Sequence, residues 1–175
     1  MADRVHDPGP DVAAAAFHGP ADVAADPLEA RGGGAIRIGT ASWTDPTMTA
    51  AGVFYPTGAD TAEERLQFYA SRFPLVEVDA TYYSLPVRRT SELWVERTPP
   101  DFTFDVKAHA LMTGQPTETK RFRCLYDAGE LEEWVPRVRE AAGQAKDTHV
   151  LFNNRYANCG ATNALMLAEL LQDPA

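Results

Sequence analysis

Apolar residues recur in two alternating patterns along the chain from residue 35 onward. Short runs with strand-like alternation predict four strands, at 35–40, 75–82, 102–109 and 149–154. Apolar positions at helical spacing predict helices at 62–73, 91–97, 128–142 and 161–172, the first opened by a Thr61–Glu64 capping box. Each predicted crossover is long enough to join parallel strands, so the pattern favours a parallel α/β sheet.

Two of the predicted strands carry one apolar and one polar face. In the second strand Val76 and Val78 alternate with Glu77 and Asp79, and in the third Phe104 alternates with polar residues that include Lys107 and His109. Parallel strands covered by helices on both faces are usually apolar throughout. A polar face therefore favours a barrel, in which the polar residues line the axis and Glu77 and Asp79 face Lys107 and His109 as ion pairs.

Three segments depart from this regular pattern. Residues 1–34 are rich in Ala, Asp, Pro and Gly, which predicts a disordered tail with a short helix around 12–17. Residues 113–123 are polar and match neither pattern. Pro136 lies inside the helix predicted at 128–142 and should kink it unless its first turn begins late.

Composition excludes several classes of protein. The net charge of −9 argues against general affinity for nucleic acid. No apolar run approaches the roughly 18 residues that span a bilayer, and the first residues do not resemble a secretory signal. The two cysteines, Cys124 and Cys159, lack the spacing of a zinc site or a disulfide framework. These features predict a cytoplasmic protein with free thiols and no membrane partner.

Several motifs resemble those of the YecE-like family, domain of unknown function 72. Residues 39–43 (GTASW) resemble its opening strand, and residues 54–56 (FYP) and 73–86 (FPLVEVDATYYSLP) resemble the two motifs that follow. Residues 98–107 are similar to its TPxxFxFxxK motif, and residues 150–154 with 163–164 are similar to its closing FNN and NA motifs. The resemblance implies a TIM-type barrel whose biochemical function is unassigned.

The resemblance also implies a set of shared polar positions. They are Ser42, Trp43, Glu77, Asp79, Thr81, Tyr82, Lys107, Asn153 and Asn154. Asp79 is a departure, because the family more often has Asn there.

The chain is short for such a barrel. A TIM barrel needs about 250 residues, whereas only about 140 follow residue 34. We therefore expect an incomplete barrel of one domain, with N-terminal βα units at 35–112 and closing units at 124–175. Four strands cannot close an eight-stranded barrel, so an open edge is expected on each side, which a second copy of the chain would cover.

The polar face supports several kinds of chemistry and leaves the reaction and any cofactor unspecified. The candidate catalytic residues are Glu77 or Asp79 as a general base and Lys107 as a clamp for an oxyanion or phosphate. In one alternative Glu77, Asp79 and His109 bind a divalent metal. In another Lys107 forms a Schiff base, although neighbouring carboxylates favour its charged form. A fourth interpretation is a structural ion-pair network without catalysis.

Candidate ligand-binding residues surround these groups. For a small-molecule ligand they are Ser42, Trp43, Thr81, Tyr82, His109, Asn153 and Asn154. One interpretation is an aromatic wall for a ligand, formed by Trp43, Tyr55, Tyr82 and Tyr83, but packing is the commoner role of such residues. Two hypotheses for the whole chain stay open: a small-molecule enzyme, or an inactive or dimerising remnant of one.

Overall fold

Parallel strands form the centre of the computed structural model, which describes residues 24–30, 33–50, 52–109, 125–154 and 158–172. The strands are β1 (Leu28–Glu29), β2 (Ala35–Ala41), β3 (Leu75–Val78), β4 (Thr103–Val106) and β5 (Asp147–Phe152). The helices are α1 (Ala62–Ala70), α2 (Arg88–Glu96), α3 (Ala128–Glu132), α4 (Val135–Ala142) and α5 (Cys159–Gln172), with a 3-10 helix at Asp79–Tyr82.

The sheet confirms the predicted parallel pairing. Its order is β5-β2-β3-β4, with all three of these pairings parallel, and β1 pairs antiparallel with the start of β2. The last strand thus lies beside the first parallel one. Among the described residues, β4 and β5 each pair along one side only, so this part of the chain forms an open sheet.

The two faces of the sheet differ as the alternation predicted. Register places Ile38, Val76 and Phe104 on one face, where they join the apolar core against the helices. Charged residues alternate with them on the other face. Two of these, Asp105 on β4 and His149 on β5, lie 3.0 Å apart from oxygen to ring nitrogen.

That contact shows that the sheet is strongly curved. Strands β4 and β5 are separated by β3 and β2, so in a flat sheet they would lie about 14 Å apart at the usual strand spacing. Side chains that project in parallel from a flat sheet cannot bridge such a distance. The charged face is therefore the concave face, and the helices cover the convex one.

Capping and proline chemistry decide the helix boundaries. The predicted capping box of α1 is confirmed, because the Thr61 side chain accepts from the Glu64 amide and the Glu64 side chain accepts from the Thr61 amide. The single helix predicted at 128–142 is wrong. A break at residues 133–134 separates α3 from α4, and Pro136 lies in the first turn of α4, where its missing N–H is not needed.

The N-terminal prediction is wrong for the described part of the tail. Leu28 pairs with Ile36 across β1 and β2, and Ala25 is buried and donates its amide to the Arg72 carbonyl. These contacts add a strand that the weak apolar pattern did not reveal. The predicted helix at 12–17 and the irregular segment at 113–123 lie outside the described residues. Within the described part of the chain no helix has the length and apolar character to cross a membrane.

Candidate functional site

An ion pair joins the carboxyl ends of two neighbouring strands. Lys107 Nζ lies 3.0 Å from Glu77 Oε1, and both side chains are partly exposed, at 36% and 21%. Glu77 is on β3, and Lys107 directly follows β4, with its amide donating to the Val78 carbonyl. The predicted proximity of Glu77 and Lys107 is therefore confirmed.

The Lys107 ammonium also lies beside an aromatic ring. Its Nζ is 6.0 Å from the centre of the Tyr82 ring, at the outer limit of a cation–π contact. This places Tyr82, a predicted ligand-binding residue, next to the charged pair. Tyr83 packs edge-on against Tyr82 with ring centres 5.1 Å apart and is itself 59% exposed.

The predicted strand at 75–82 is too long, which changes the position of Asp79 and Thr81. Strand β3 ends at Val78, and the chain then turns into the 3-10 helix that Asp79 begins. Asp79 therefore does not extend the strand face of Glu77 as predicted, and it is buried. Thr81 Oγ1 lies 2.7 Å from the Val78 carbonyl oxygen and 2.6 Å from the Lys107 carbonyl oxygen, so its hydroxyl ties this turn to the end of β4.

Ser42 follows β2 in a strained backbone conformation. Its φ angle of +70° is in the left-handed region that non-glycine residues rarely adopt. The Ser42 amide donates to the Glu77 carbonyl at 2.9 Å, and its Oγ accepts from the Thr44 amide at 3.2 Å. Such strain clusters at functional sites, and here it lies directly beside the residue that bears the carboxylate of the ion pair.

A small cavity brings together three of the predicted residues. Ser42, Trp43 and Asp79 line a space of about 200 Å³, with Trp94 and Arg97 on its other walls. Its lining thus combines three polar residues with two tryptophans, and the Arg97 guanidinium lies 3.1 Å from Glu63 Oε2 on α1. At about 200 Å³ the cavity is smaller than the roughly 300–1,000 Å³ of most ligand pockets.

Trp43 and Tyr55 do not form an exposed aromatic wall, because both side chains are buried in the core. They are 7% and 5% exposed, and the Tyr55 hydroxyl donates to the Trp43 carbonyl. Trp43 packs edge-on against Trp94 and Phe104. The favoured prediction of packing is thus confirmed for these two residues. Burial raises the pKa of the Tyr55 phenol far above its usual value.

Tyr69, on α1, forms hydrogen bonds with the backbone of two neighbouring strands. It is fully buried, and its hydroxyl accepts from the Thr40 amide at 2.9 Å and lies 3.2 Å from the Leu75 carbonyl oxygen. It therefore links β2 to β3 where their pairing begins. Burial raises the pKa of the Tyr69 phenol well above its usual value, although its hydrogen bonds with Thr40 act in the opposite direction.

The metal hypothesis is not supported by the positions of its residues. Among the described residues, which include Glu77, Asp79 and His109, no three His, Cys, Asp or Glu side chains lie close enough to hold a metal ion. The turn at Asp79 explains this result, because it ends the alternation that would have aligned Asp79 with Glu77. His109 lies beyond the end of β4, not within the strand as predicted.

Asn154, the second asparagine after β5, links this strand end to α5. Asn154 is buried, and its Nδ2 donates to Asn163 Oδ1 on α5 at 2.8 Å. Asn163 also bonds both backbone groups of Tyr126, which precedes α3. These residues hold the closing units together. Asn153 lines a separate apolar groove beside β5, so neither asparagine shares the cavity of Ser42 and Asp79.

Sequence reasoning missed the pairing of His149 with Asp105. Nothing in the sequence pattern distinguishes His149 from the other residues of its strand, or Asp105 from the other polar positions of its own. The alternation does place Asp147, His149 and Leu151 on one face of β5. Only the curvature of the sheet brings that face to β4, so the available signal could not identify the partner.

Comparisons with known proteins found a matching family model and a similar bacterial protein. The family model "Protein of unknown function DUF72" matches residues 37–122 and, separately, 115–175. The UPF0759 protein YunF of Bacillus subtilis (strain 168) is 40% identical over 79 residues, which are 45% of this chain. The matched part spans only about a quarter of YunF, 26% of its length.

A solved structure resembles the fold. It is the crystal structure of a DUF72 family protein from Enterococcus faecalis V583, with a TM-score of 0.61 and 15% identity. The similarity covers 80% of this chain and 96% of the crystallised one. At this identity the likeness concerns the fold alone. The resemblance in the sequence motifs is thereby confirmed at the level of the family, while the cytoplasmic location stays a prediction.

Proposed function

The chain belongs to the DUF72 family, and on that premise we propose that it is part of a TIM-type barrel whose strand ends bind a small anionic molecule and transfer a proton. No function is assigned by the relatives described above, so the proposal depends on the geometry. The observation that carries it is the partly exposed ion pair of Glu77 and Lys107 at the carboxyl ends of neighbouring parallel strands. TIM barrels place their chemistry at this end of the sheet.

The barrel part of the proposal is supported by topology and curvature. The first parallel strand pairs on one side with the second and on the other with the last, as the strands of a closing barrel do. The contact between Asp105 and His149 requires the curvature that a barrel has. The charged residues of the concave face would then line the barrel axis.

Lys107 would bind the negative group of the ligand. Its ammonium has three N–H donors, and the contact with Glu77 uses one of them. A carboxylate or phosphate oxygen can take the place of water at the exposed side of this ammonium. In a reaction that develops negative charge on that oxygen, Lys107 would stabilise the charge as it forms.

Glu77 would act as the general base. Its carboxylate is next to the bound group because it already touches Lys107, and it can accept a proton from a carbon or hydroxyl adjacent to that group. The buried turn at Asp79 and the strained Ser42 hold the Glu77 strand end in position through the Ser42–Glu77 backbone bond.

Ligand titration with matched variants tests this proposal. Inorganic phosphate, sugar phosphates and short carboxylates would be titrated against the protein by calorimetry, with neutral analogues as negative controls. We expect Lys107→Met to weaken anion binding by at least about tenfold, the loss of one charge-assisted contact. Lys146→Met, at an exposed lysine, is the matched control and should bind normally.

The Glu77 variant separates binding from catalysis. Glu77→Gln should retain anion binding, because the amide oxygen can still contact Lys107, and should lose proton transfer to a bound carbon acid, measured as deuterium exchange by NMR. Equal anion binding by the wild type, Lys107→Met and Lys146→Met would contradict the proposal.

A second candidate is a remnant without catalytic activity. The open sheet and the match of the family model in two separate segments favour it. It predicts that no anion of the panel stabilises the protein and that Glu77→Gln changes no measured property except stability. Deuterium exchange into a bound carbon acid that is lost in Glu77→Gln would exclude it.

A further inference from the structure

The described part of the sheet ends in two strand edges, one at β4 and one at β5. Among the described strands, β4 lacks a neighbour on the side away from β3, and β5 lacks one on the side away from β2. Both edges belong to parallel strands that run in the same direction. Exposed edges of this kind readily pair with another strand, and a barrel has none.

The β4 edge presents an exposed apolar side chain. Val106 is the last residue of β4 and is 64% exposed, although its register partner Val78 on β3 is buried in the core. Both side chains project from the convex face, where the neighbouring strands are covered by helices. Val106 thus has the orientation of a core residue, yet it is largely exposed, and no described strand pairs with the outer side of β4.

The β5 edge presents an apolar groove on the same convex face. The groove has a volume of about 370 Å³ and is lined by Val150 and Phe152 of β5, Val138 of α4, and Trp134 between α3 and α4. Trp134 is 50% exposed. In a βα barrel this space beneath the helix is filled by the outward side chains of the next strand.

We propose that a second copy of this chain supplies that strand, with β4 of each copy pairing in parallel with β5 of the other. A two-fold rotation about the axis of the curved sheet keeps every strand parallel and satisfies both open edges of both copies at once. The four described parallel strands of each copy make eight together, the number that closes a TIM-type barrel. Val106 of one copy would enter the groove beside Trp134 of the other.

The proposed dimer would also complete the site. The concave face with Glu77 and Lys107 is open on the side where the sheet ends, and the partner's strands would enclose it. The inference rests on the barrel architecture proposed above but not on the anionic ligand. A measurement of mass therefore tests the dimer alone, and a titration with anions tests the ligand site alone.

The first test is the mass in solution. Light scattering after size exclusion should give about 38 kDa, twice the 19.1 kDa of one chain. Dilution from ~100 to ~1 µM measures the dissociation constant by mass action. We expect Val106→Lys to raise this constant at least tenfold with an unchanged circular dichroism spectrum. Val95→Lys, at a valine on α2 with 69% exposure, is the matched control and should dimerise normally.

Mixing two defective variants tests the pairing of unlike edges. Val106→Lys places a charge at the β4 edge, and Trp134→Glu places one at the groove. Each variant alone should therefore be a monomer. In a mixture, one interface of the heterodimer is intact and the other joins Lys to Glu, so dimers should return. A monomeric wild type across this concentration range, or a dimer that neither variant weakens, would overturn the proposal, as would monomers in the mixture.

Discussion

Removal of one buried hydroxyl, by Tyr69→Phe, tests whether the β2–β3 junction depends on a side chain from α1. The Tyr69 hydroxyl is 2.9 Å from both the amide nitrogen and Oγ1 of Thr40 on β2, and 3.2 Å from the Leu75 carbonyl oxygen on β3. Direct pairing of these two strands covers only two residue pairs, Thr40 with Val76 and Ala41 with Glu77. The hydroxyl therefore replaces a ladder contact at the point where the strands diverge.

The expected loss of stability follows from the groups left without a partner. Phenylalanine fills nearly the same volume, so packing changes little. The buried Thr40 N–H loses its acceptor, which costs about 1–3 kcal/mol, and the Leu75 carbonyl loses a weaker, longer bond. Thr40 Oγ1 retains its bond to the Ser42 carbonyl at 2.9 Å, so it adds little to the cost. We expect a total decrease of about 2–3 kcal/mol in the free energy of unfolding.

Urea unfolding followed by circular dichroism measures this decrease, with Tyr83→Phe as the matched control. The Tyr83 side chain is 59% exposed, so its variant should lie within about 0.5 kcal/mol of the wild type. The two variants make the same chemical change and differ only in burial. Equal stabilities of Tyr69→Phe and Tyr83→Phe would refute the argument that the buried hydroxyl joins the strands.

Further predictions concern backbone space, pH and the proposed site. Gly39→Ala should lower the free energy of unfolding by about 1–3 kcal/mol or more, because its Cβ would overlap the Leu75 carbonyl oxygen. Gly129→Ala in α3, with no neighbour nearer than 3.4 Å, should instead raise it by roughly 0.5–1 kcal/mol; thermal melts of both variants check the opposite signs. The buried Tyr55 and Tyr69 have raised pKa values, so the unfolded chain loses these protons first, near the ordinary pKa of 10.0. Their contribution to the free energy of unfolding is complete below about pH 10 and is lost as the pH rises further. Urea unfolding should therefore show a free energy of unfolding that decreases above about pH 10, and a value independent of pH would contradict this prediction. Calorimetry of Lys107→Met and light scattering of Val106→Lys complete the set, and each should differ from its exposed control.

Local chemistry explains which features of the fold were predictable. The capping box of Thr61 and Glu64 forms within four consecutive residues, and the alternation of Val76, Glu77 and Val78 follows from strand geometry alone. The Glu77–Lys107 pair was also predictable, because neighbouring parallel strands bring their carboxyl ends together. The extent of each strand was less certain: nothing in the residue pattern marks the end of β3 at Val78, where the chain turns and removes Asp79 from the strand face.

The amino-acid pattern on its own thus determined the four parallel strands, their pairing direction and the polar face, since each depends on residues close in sequence or on adjacent strands. Tertiary structure alone decided the contact of His149 with Asp105 and the groove beside β5. These features depend on how far the sheet curves and which helix covers which strand. Curvature is set by the packing of the whole sheet, and no local pattern of residues encodes it.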